Sequence, residues 1–466
     1  MATLNLADIY EAVARAVPDR LALVCGDDRL TYAELDRRAN RVARHLLGTG
    51  LRAGEHVGLH LPNGAVYVES LLGALKARLV PININYRYTA HELAYLYSDA
   101  RLAGLVVDAE YAAAAADVAG STPLRHVTVV GDADLAWPVP HTGYPHGGED
   151  GPLPGERSPD DRFVLYTGGT TGNPKGVIWR QEDFFVSALA GGNPYGEPRR
   201  SAEEVAAAAA GTPPMTFLLA APLMHGAASY NLFMAFCLGA AVVLDRRFDA
   251  VRALRLVQDE RVMVVTVVGD AMARPLADAV AAHGAEFDLG SWKVLGSGGA
   301  LLSQSVCDEL RALIPDLMVN NGFGASESGM DGRLEVGADG LPRLAAAPNV
   351  RVLDESLRPV PPGGVGRIAK SGHVPLGYLG DPVASAATFP VVDGVRWVVL
   401  GDLARVEPDG SIVLLGRGSQ CINTGGEKVF PEEVEEALKS HPAVLDALVA
   451  GVPDERFGER VGAAVE

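Results

Sequence analysis

Cysteine is scarce in this chain of 466 residues, which contains only four, scattered without paired spacing. No Cys-x-x-Cys pair and no cysteine–histidine cluster occurs, so the spacing gives no indication of a zinc site or a disulfide framework. Such sparse use of cysteine in so long a chain is typical of a reducing compartment.

The chain also lacks an excess of basic residues, and its apolar runs are too short to cross a bilayer. It has 40 Lys and Arg against 58 Asp and Glu, a formal net charge of −18. That balance argues against nucleic-acid binding through a basic surface. Residues 1–20 lack the basic start and apolar core of a secretory signal. We expect a cytoplasmic protein with no membrane span, in which any phosphate is bound by a local device.

Helical and strand patterns alternate along most of the sequence. Thr31 stands three residues before Glu34, and Thr89 three before Glu92, each at the start of an apolar pattern with helical spacing. Both pairs are capping boxes, which mark helix starts. Apolar runs such as residues 262–268 have the length of buried strands. The alternation predicts an α/β fold with largely parallel, buried sheets.

The strongest motif is a loop of glycines and hydroxyl residues that follows a predicted buried strand. In order, it reads Thr167, Gly168, Gly169, Thr170, Thr171, Gly172, Asn173, Pro174 and Lys175. Glycines let backbone amides approach phosphate oxygens, threonines add donors, and the lysine supplies a charge. A Walker loop needs Gly directly before its lysine and Ser or Thr after it. Here Pro174 and Gly176 stand at those places, so a Walker-type NTPase is disfavoured.

On this loop and on residues 268–275 and 421–429, the chain resembles the adenylate-forming superfamily, and most of all its fatty-acyl-CoA synthetase branch. The resemblance runs from about residue 30 to the last residue. It implies a large N-terminal domain of parallel-rich sheets flanked by helices, with a small β-barrel-like subdomain, and a small mobile C-terminal α+β domain. We place the N-terminal AMP-binding domain at 1–416, a hinge at 417–420, and part of the C-terminal domain at 421–466.

A second motif, residues 320–329, brings an aromatic ring, a hydroxyl and a carboxylate onto what we predict to be one tight turn. A ring can stack on adenine, a hydroxyl can donate to the α-phosphate, and a carboxylate is a hard ligand for Mg²⁺. The resemblance implies these roles for Phe323, Ser326 and Glu327, where relatives usually have Tyr and Thr at the first two positions. It also places nucleotide contacts at Asn321, Gly322 and Gly324, and the metal at Glu327 and Thr170.

The resemblance assigns the remaining contacts with the nucleotide to three places. Adenine is expected between Phe323 and a segment of small residues, Gly298, Gly299 and Ala300. Residues without bulk let a ligand lie against the backbone. Asp402 and Arg417 are expected at the ribose hydroxyls, and a carboxylate suits that task because it only accepts hydrogen bonds.

A histidine followed by small residues matches the family motif that borders the carboxylate pocket; its residues are His225, Gly226 and Ala227. Small residues in this region favour a medium, long or bulky apolar acid over acetate. Asp270 lies on a predicted pocket-side turn, where it either orients a polar group or caps the core. The residue pattern leaves these two roles open.

The implied activity is that of an ATP-dependent acyl-CoA ligase, an acid–thiol ligase using ATP, Mg²⁺ and coenzyme A. A carboxylate attacks the α-phosphate to give an acyl-adenylate, and a thiolate then attacks the acyl carbon. Lys175, Ser326 and Glu327 are the candidate catalytic residues because they offset or direct the charge that develops. The resemblance also implies rotation of the C-terminal domain about Ser419 between the two steps.

One family feature is not found in the sequence. The resemblance implies a lysine in a Gly-Lys context near the end of the C-terminal domain, and Lys428 and Lys439 do not stand in that context. We therefore expect the native chain to continue past Glu466, and we expect weak adenylation by the 466 residues alone.

Two alternative functions stay open. The protein could perform only one half-reaction, either thioesterification of a supplied acyl-adenylate or adenylation for a carrier-protein thiol. It could instead bind an acyl-adenylate without turnover. The identity and length of the acid and the oligomeric state are not encoded in any motif we can interpret.

Overall fold

The computed structural model describes residues 3–167, 173–300, 302–337, 341–417, 422–424, 427–429, 431–439, 441, 443–454 and 458–466. The described residues form thirteen α-helices: α1 (Leu6–Ala16), α2 (Tyr32–Gly48), α3 (Ala65–Lys76), α4 (Ala90–Asp99), α5 (Ala112–Ala119), α6 (Gln181–Ala188), α7 (Ala202–Gly211), α8 (Gly226–Cys237), α9 (Ala250–Asp259), α10 (Asp270–His283), α11 (Gln304–Leu313), α12 (Pro382–Thr388) and α13 (Pro431–Lys439).

The first half of the described chain contributes strands β1 (Leu21–Cys25), β2 (Asp28–Thr31), β3 (His56–His60), β4 (Val80–Asn83), β5 (Leu102–Asp108), β6 (His126–Val130), β7 (His141–Gly143), β8 (Arg162–Thr167), β9 (Lys175–Arg180), β10 (Thr216–Leu219) and β11 (Ala241–Leu244). The second half contributes β12 (Val264–Val267), β13 (Val294–Ser297), β14 (Met318–Ala325), β15 (Gly329–Val336), β16 (Pro342–Leu344), β17 (Val350–Leu353), β18 (Val365–Ser371), β19 (Gly377–Tyr378), β20 (Val391–Val392), β21 (Val395–Val406), β22 (Ile412–Arg417), β23 (Ile422–Thr424), β24 (Glu427–Val429), β25 (Ala447–Asp454) and β26 (Gly458–Val465).

These strands form three sheets in the described residues. The largest has the order β17-β18-β21-β22-β16-β15-β14-β13-β12-β10-β11-β1-β2, with β20 paired to β21. Its strands from β14 to β1 run parallel, whereas β15, β16, β17, β18, β21 and β22 pair antiparallel. The second sheet has the order β19-β9-β8-β4-β3-β5-β6-β7, and the third has the order β24-β23-β26-β25. The predicted α/β class with parallel-rich sheets is confirmed.

Both predicted capping boxes form. The Thr31 hydroxyl accepts from the Glu34 amide at 3.2 Å, and the Thr31 amide donates to the Glu34 carboxylate at 2.8 Å. The Thr89 and Glu92 side chains cap α4 in the same way. Residues of α2 that recur at helical spacing are buried, whereas α3 is buried along nearly its whole length. A helix without a polar face lies inside the fold, and α3 is therefore a core element.

Topology positions the site at the carboxyl ends of parallel strands. β12, β13 and β14 are adjacent and parallel, with Ser297 at the end of β13 opposite Asn321 in β14. Loops that follow such strands meet along one edge of a sheet, where α/β proteins bind ligands. The antiparallel pair β8 and β9 brings Thr167 opposite Lys175 in the second sheet. The turn after β14 and the beginning of β9 are the elements that carry the candidate catalytic groups.

Candidate active site

Lys175 is the first residue of β9, and Thr167, the last residue of β8, pairs with it. Next to the lysine, Gly176 has no room for a side chain, because a Cβ there would lie 2.7 Å from the Tyr166 ring. The Tyr166 hydroxyl in turn donates to Asp99 at 2.6 Å. The glycine after the lysine thus lets an aromatic ring pack flat against β9. The loop positions Gly168, Gly169, Thr170, Thr171 and Gly172 lie outside the described residues.

Ser326 and Glu327 lie in the turn between β14 and β15. The prediction that Phe323 shares this tight turn is wrong, because β14 extends to Ala325 and contains both Asn321 and Phe323. The turn is shorter than predicted because β15 starts at Gly329 and pairs with the end of β14. The Trp179 indole donates to the Ser326 carbonyl at 3.0 Å and ties the turn to β9.

A tyrosine that the sequence analysis did not select links Lys175 to Glu327. The Tyr378 hydroxyl donates to Glu327 Oε1 at 2.9 Å, and Lys175 Nζ lies 5.1 Å from the centre of the same ring. Burial, and next the negative charge of Glu327, raises the pKa of Tyr378 above its ordinary value. Tyr378 therefore remains a hydrogen-bond donor at neutral pH. Two charged groups far apart in sequence meet on one aromatic side chain.

A buried ion pair supports the turn between β14 and β15. Lys370 Nζ lies 3.2 Å from Asp331 Oδ1 and donates to the Ser328 carbonyl at 2.8 Å and to the Met330 carbonyl at 2.6 Å. The Ser328 hydroxyl also donates to Asp331. Burial raises the pKa of Asp331, against the effect of Lys370, and burial lowers the pKa of Lys370. These contacts fix the backbone directly after Glu327.

The predicted acid-pocket residues lie close to Ser326. A Cβ at Gly226 would stand 3.4 Å from the Ser326 hydroxyl oxygen and 2.8 Å from a Leu165 methyl. A Cβ at Gly299, whose φ is +84°, would stand 3.6 Å from the Ala227 Cβ. The small residues at the start of α8 and after β13 therefore face one another. Together they form an apolar approach to the Ser326 turn.

His225 occupies the N-cap position of α8 at an exposed site. Partial desolvation, and next the charge of Arg87, lowers the pKa of His225, so the ring is neutral at pH 7. The loop before it is held by Asn83, whose amide donates to the Met224 carbonyl at 2.7 Å and to the Tyr166 carbonyl at 2.9 Å. Asn83 thus couples the histidine loop to the end of β8. No local pattern had singled out this asparagine.

The small residues expected to border adenine follow β13 and lie beside β14, the strand that contains Phe323. A Cβ at Gly298 would lie 3.6 Å from the Gly322 carbonyl oxygen, and a Cβ at Gly322 would lie 3.5 Å from the Ser297 carbonyl oxygen. Ala300 is exposed beside them. On a different part of the sheet, Asp402 in β21 pairs with Arg417 at the end of β22. The two predicted ribose residues are therefore neighbours in the backbone ladder, and the hinge residue Ser419 lies outside the described residues.

Asp270 makes structural contacts at the start of α10. Its Oδ1 accepts from the Ser303 amide at 2.8 Å, and its Oδ2 lies 3.7 Å from Lys439 Nζ. The first contact ties the start of α10 to Ser303, the N-cap residue of α11. The second joins α10 to α13. Both contacts are with other groups of the chain, and the role of Asp270 at the acid pocket stays a prediction.

Within the described part of the chain, no group of three or more His, Cys, Asp or Glu side chains could hold a metal ion. A Mg²⁺ ion that bridges phosphates needs only one or two carboxylates. Glu327 fits that need: Tyr378 contacts one of its oxygens, and the carboxylate has a second oxygen for a cation. Thr170, the other predicted ligand, is not described. The described helices include none that is both long and apolar enough to traverse a bilayer.

Comparisons with known proteins give consistent matches. Family models described as "AMP-binding enzyme" and "AMP-binding enzyme C-terminal domain" match residues 10–379 and 433–466. The medium/long-chain-fatty-acid–CoA/3-oxocholest-4-en-26-oate–CoA ligase of Mycobacterium marinum is 43% identical, over 99% of this chain and 87% of that protein. The 3-oxocholest-4-en-26-oate–CoA ligase of Rhodococcus rhodochrous is 40% identical, over 99% and 86%. ATP-bound MatB from Rhodopseudomonas palustris has a TM-score of 0.79 at 25% identity, over 99% and 88%.

Proposed function

The chain belongs to the AMP-binding enzyme family, and we propose from that membership that it is an ATP-dependent acyl-CoA ligase for apolar carboxylic acids. The observation that carries the assignment is the meeting of Lys175 and Glu327 on Tyr378. One group is a cation suited to phosphate, and the other is a carboxylate suited to the cation that accompanies ATP. This pair gives the site the charges that nucleotide activation of an acid requires.

In the first step a carboxylate oxygen of the acid attacks the α-phosphorus, and the bond to pyrophosphate breaks. Lys175 stabilises negative charge on the phosphates, and the Ser326 hydroxyl donates to the α-phosphate. Glu327 would hold Mg²⁺, which offsets phosphate charge when bound. Asp402 and Arg417 orient the ribose, and Asn321 and Phe323 hold the adenine against Gly298. The product is an acyl-adenylate, whose AMP is a good leaving group.

In the second step the thiolate of coenzyme A attacks the acyl carbon, and AMP leaves with the electron pair of the broken bond. We assign this step to the same site, with residues 1–416 as the nucleotide-binding domain, 417–420 as the hinge and 421–466 as C-terminal domain. The separate family matches on either side of residue 417 support this division. His225 borders the acid pocket in this assignment, and its neutral ring favours an uncharged acyl chain.

For the acid, we propose a medium or long aliphatic chain or a bulky polycyclic acid. Gly226, Ala227 and Gly299 lie at the approach to Ser326, and none of them carries a side chain larger than a methyl group. Two similar proteins are named for ligation of long-chain or 3-oxocholest-4-en-26-oic acids, which supports the same class.

The test is a screen of aliphatic, aromatic and polycyclic acids with ATP, Mg²⁺ and coenzyme A, in which thiol consumption, AMP and pyrophosphate are measured. For apolar acids we expect AMP and acyl-CoA in equal amounts, at the low rate expected of the 466 residues alone, and for acetate we expect neither product. Parallel reactions supply acyl-AMP with coenzyme A but without ATP, and ATP with acid but with a carrier-protein thiol. Turnover only with acyl-AMP and coenzyme A would indicate a thioesterifying protein. Turnover only with the carrier-protein thiol would indicate a carrier-loading enzyme. Tight acyl-AMP binding with no product in any reaction would contradict catalysis.

A further inference from the structure

The Lys175 ammonium group is already engaged by an anion of the chain itself. Its Nζ lies 3.1 Å from Asp381 Oδ2, and the two side chains are 44% and 39% exposed. The same ammonium group lies over the Tyr378 ring. Because both partners are open to solvent, an incoming polyanion can reach the lysine without unfolding any element. The phosphates of a nucleotide can therefore displace Asp381 from the lysine.

Backbone pairing fixes Asp381 at this position. β19 pairs antiparallel with β9, Tyr378 lying opposite Val177, and the Leu379 amide donates to the Gly176 carbonyl at 2.8 Å. Asp381 stands two residues after Leu379 and caps α12, its Oδ1 accepting from the Ala384 amide at 2.9 Å. The carboxylate thus uses one oxygen for the helix and the other for Lys175.

The carboxylate is charged at neutral pH. The Ala384 amide, and next Lys175, lowers the pKa of Asp381 below its ordinary value. A second acidic group, Asp99, lies behind it, since a Cβ at Gly380 would be 4.0 Å from Asp99 Oδ1. Asp99 is held by the Tyr166 hydroxyl rather than by Lys175. Of these two carboxylates, Asp381 is the one in ion-pair contact with the lysine.

We propose that Asp381 is a positioning residue that holds Lys175 in the nucleotide-free protein and competes with the phosphates of ATP for its ammonium group. This inference rests on the proposed function, because it needs ATP to bind beside Lys175. ATP must break the pair before it can use the lysine. Asp381 therefore weakens ATP binding while it keeps Lys175 at the mouth of the site.

The consequence is unusual for an acidic residue beside an active site: its loss should improve nucleotide affinity. An Asp381→Asn substitution removes the charge but keeps an oxygen that can cap α12. Exposed ion pairs are weak, so we expect the dissociation constant of ATP to fall about two- to fivefold. The effect should act through Lys175 alone.

Isothermal titration calorimetry with ATP and Mg²⁺ tests this on the full chain. D381N and Asp381→Ser, which also caps helices, should both bind more tightly than the wild type. In a Lys175→Ala background, D381N should leave the dissociation constant unchanged. The matched control is Asp409→Asn, which removes one charge from an exposed turn where the carboxylate accepts from the Ser411 amide at 2.9 Å. It should not alter affinity.

Unchanged or weaker ATP binding by both folded Asp381 variants would overturn the inference, as would an equal gain in the Lys175→Ala background. A wild-type chain that does not bind ATP at all would instead contradict the proposed function. The two failures are therefore distinguishable. Thermal unfolding of each variant verifies that the comparison is between folded proteins.

Discussion

At the scale of single residues, Lys175 combines an exposed position with a demanding role. Its ion pair with Asp381 contributes little to folding because both side chains are solvent-accessible. Its cation, by contrast, faces the place where phosphate charge develops in the proposed reaction. Stability and activity should therefore respond very differently to its loss.

We predict that Lys175→Ala lowers kcat/KM for ATP by about 10²- to 10³-fold, the usual cost of losing one group that stabilises transition-state charge. The melting temperature should change by no more than about 2 °C, because an exposed ion pair stabilises folding weakly. Steady-state kinetics at varied ATP and thermal unfolding measure the two effects. Lys293→Ala, at another exposed lysine, is the control and should retain full activity. Unchanged ATP kinetics in K175A would remove Lys175 from the mechanism.

At the scale of elements, the turn between β14 and β15 carries Ser326 and Glu327 and depends on close backbone approach. A Cβ at Gly324 would lie 2.0 Å from the Gly329 carbonyl oxygen, a contact with backbone that no side-chain rotation relieves. Gly329 itself has a φ of +76°. Only glycine allows the strands to close so tightly at this point.

Gly324→Ala should therefore force the turn open, at a cost of about 1–3 kcal/mol of unfolding free energy. Because Ser326 and Glu327 move with the turn, we expect activity to fall far more than stability. Urea unfolding and acyl-CoA formation give the two numbers. Gly48→Ala at the end of α2 is the control, since a Cβ there meets no atom within 4 Å. A fully active G324A protein would show that the turn tolerates expansion.

The ion pair below the same turn makes a different contribution. Lys370 and Asp331 have side chains only 8% and 2% exposed. Removing one partner of a buried pair leaves the other charge uncompensated, so Lys370→Met should destabilise the protein by about 3–5 kcal/mol. The double variant Lys370→Met with Asp331→Asn should recover part of that loss in urea unfolding. Arg261→Met breaks an exposed pair with Asp288 and should cost under about 1 kcal/mol. A similar loss of unfolding free energy in Lys370→Met and Arg261→Met would contradict this prediction.

The contacts around the turn between β14 and β15 show which features could be predicted from the sequence and which could not. Local patterns identified the capping boxes, the buried strands and the motifs around Lys175 and Glu327, because each lies within a few consecutive residues. They could not identify Tyr378 or Lys370, which act on residues 51 and 42 positions away along the chain. Asn83 likewise serves Met224, 141 positions away. Such partners have ordinary neighbours in sequence and become visible only when strands pair.

The length of the turn between β14 and β15 could not be predicted from the sequence for a related reason. Residues 320–329, which include glycines 322, 324 and 329, are predicted from the sequence to lie on one tight turn. In the fold, Gly322 and Gly324 lie in β14 and Gly329 begins β15, and at Gly324 the close strand contact needs a residue without a side chain. Glycine signals both turns and close approach, and only the sheet register separates the two.

At the scale of the whole molecule, the net charge of −18 repels anionic substrates. Nucleotide binding must then rely on a few local cations, among which Lys175 is held by an acidic neighbour. The net negative charge of the chain and the ion pair of Lys175 with Asp381 therefore both weaken ATP binding. We expect ATP affinity to be limited by electrostatics rather than by shape, a point that the D381N titration also addresses.

Histidine burial gives the whole fold a dependence on pH. Burial lowers the pKa of His60 to about 4, with Asp108 acting weakly in the opposite direction. The pKa values of His45, His56, His126 and His225 are also lowered, whereas that of His373 is raised, first by its hydrogen bond with Asp183. A histidine whose pKa is depressed in the folded state stabilises the fold above its unfolded pKa. That stability is lost as the pH falls towards the folded value.

For His60 the window lies between pH 6.5, the ordinary value, and about 4. At pH 5 the unfolded chain binds the proton and the folded chain does not, which costs roughly 2 kcal/mol relative to pH 7.5. His60→Phe keeps an aromatic ring against Tyr111, on which His60 stacks at 5.2 Å, and removes the titration. The loss of stability between pH 7.5 and pH 5 should shrink by about that amount in urea unfolding, whatever the variant's stability at pH 7.5. His146→Asn, at an exposed position, should leave the loss unchanged. If the His60→Phe protein lost as much stability on acidification as the wild type, the buried imidazole would not be the group that senses pH.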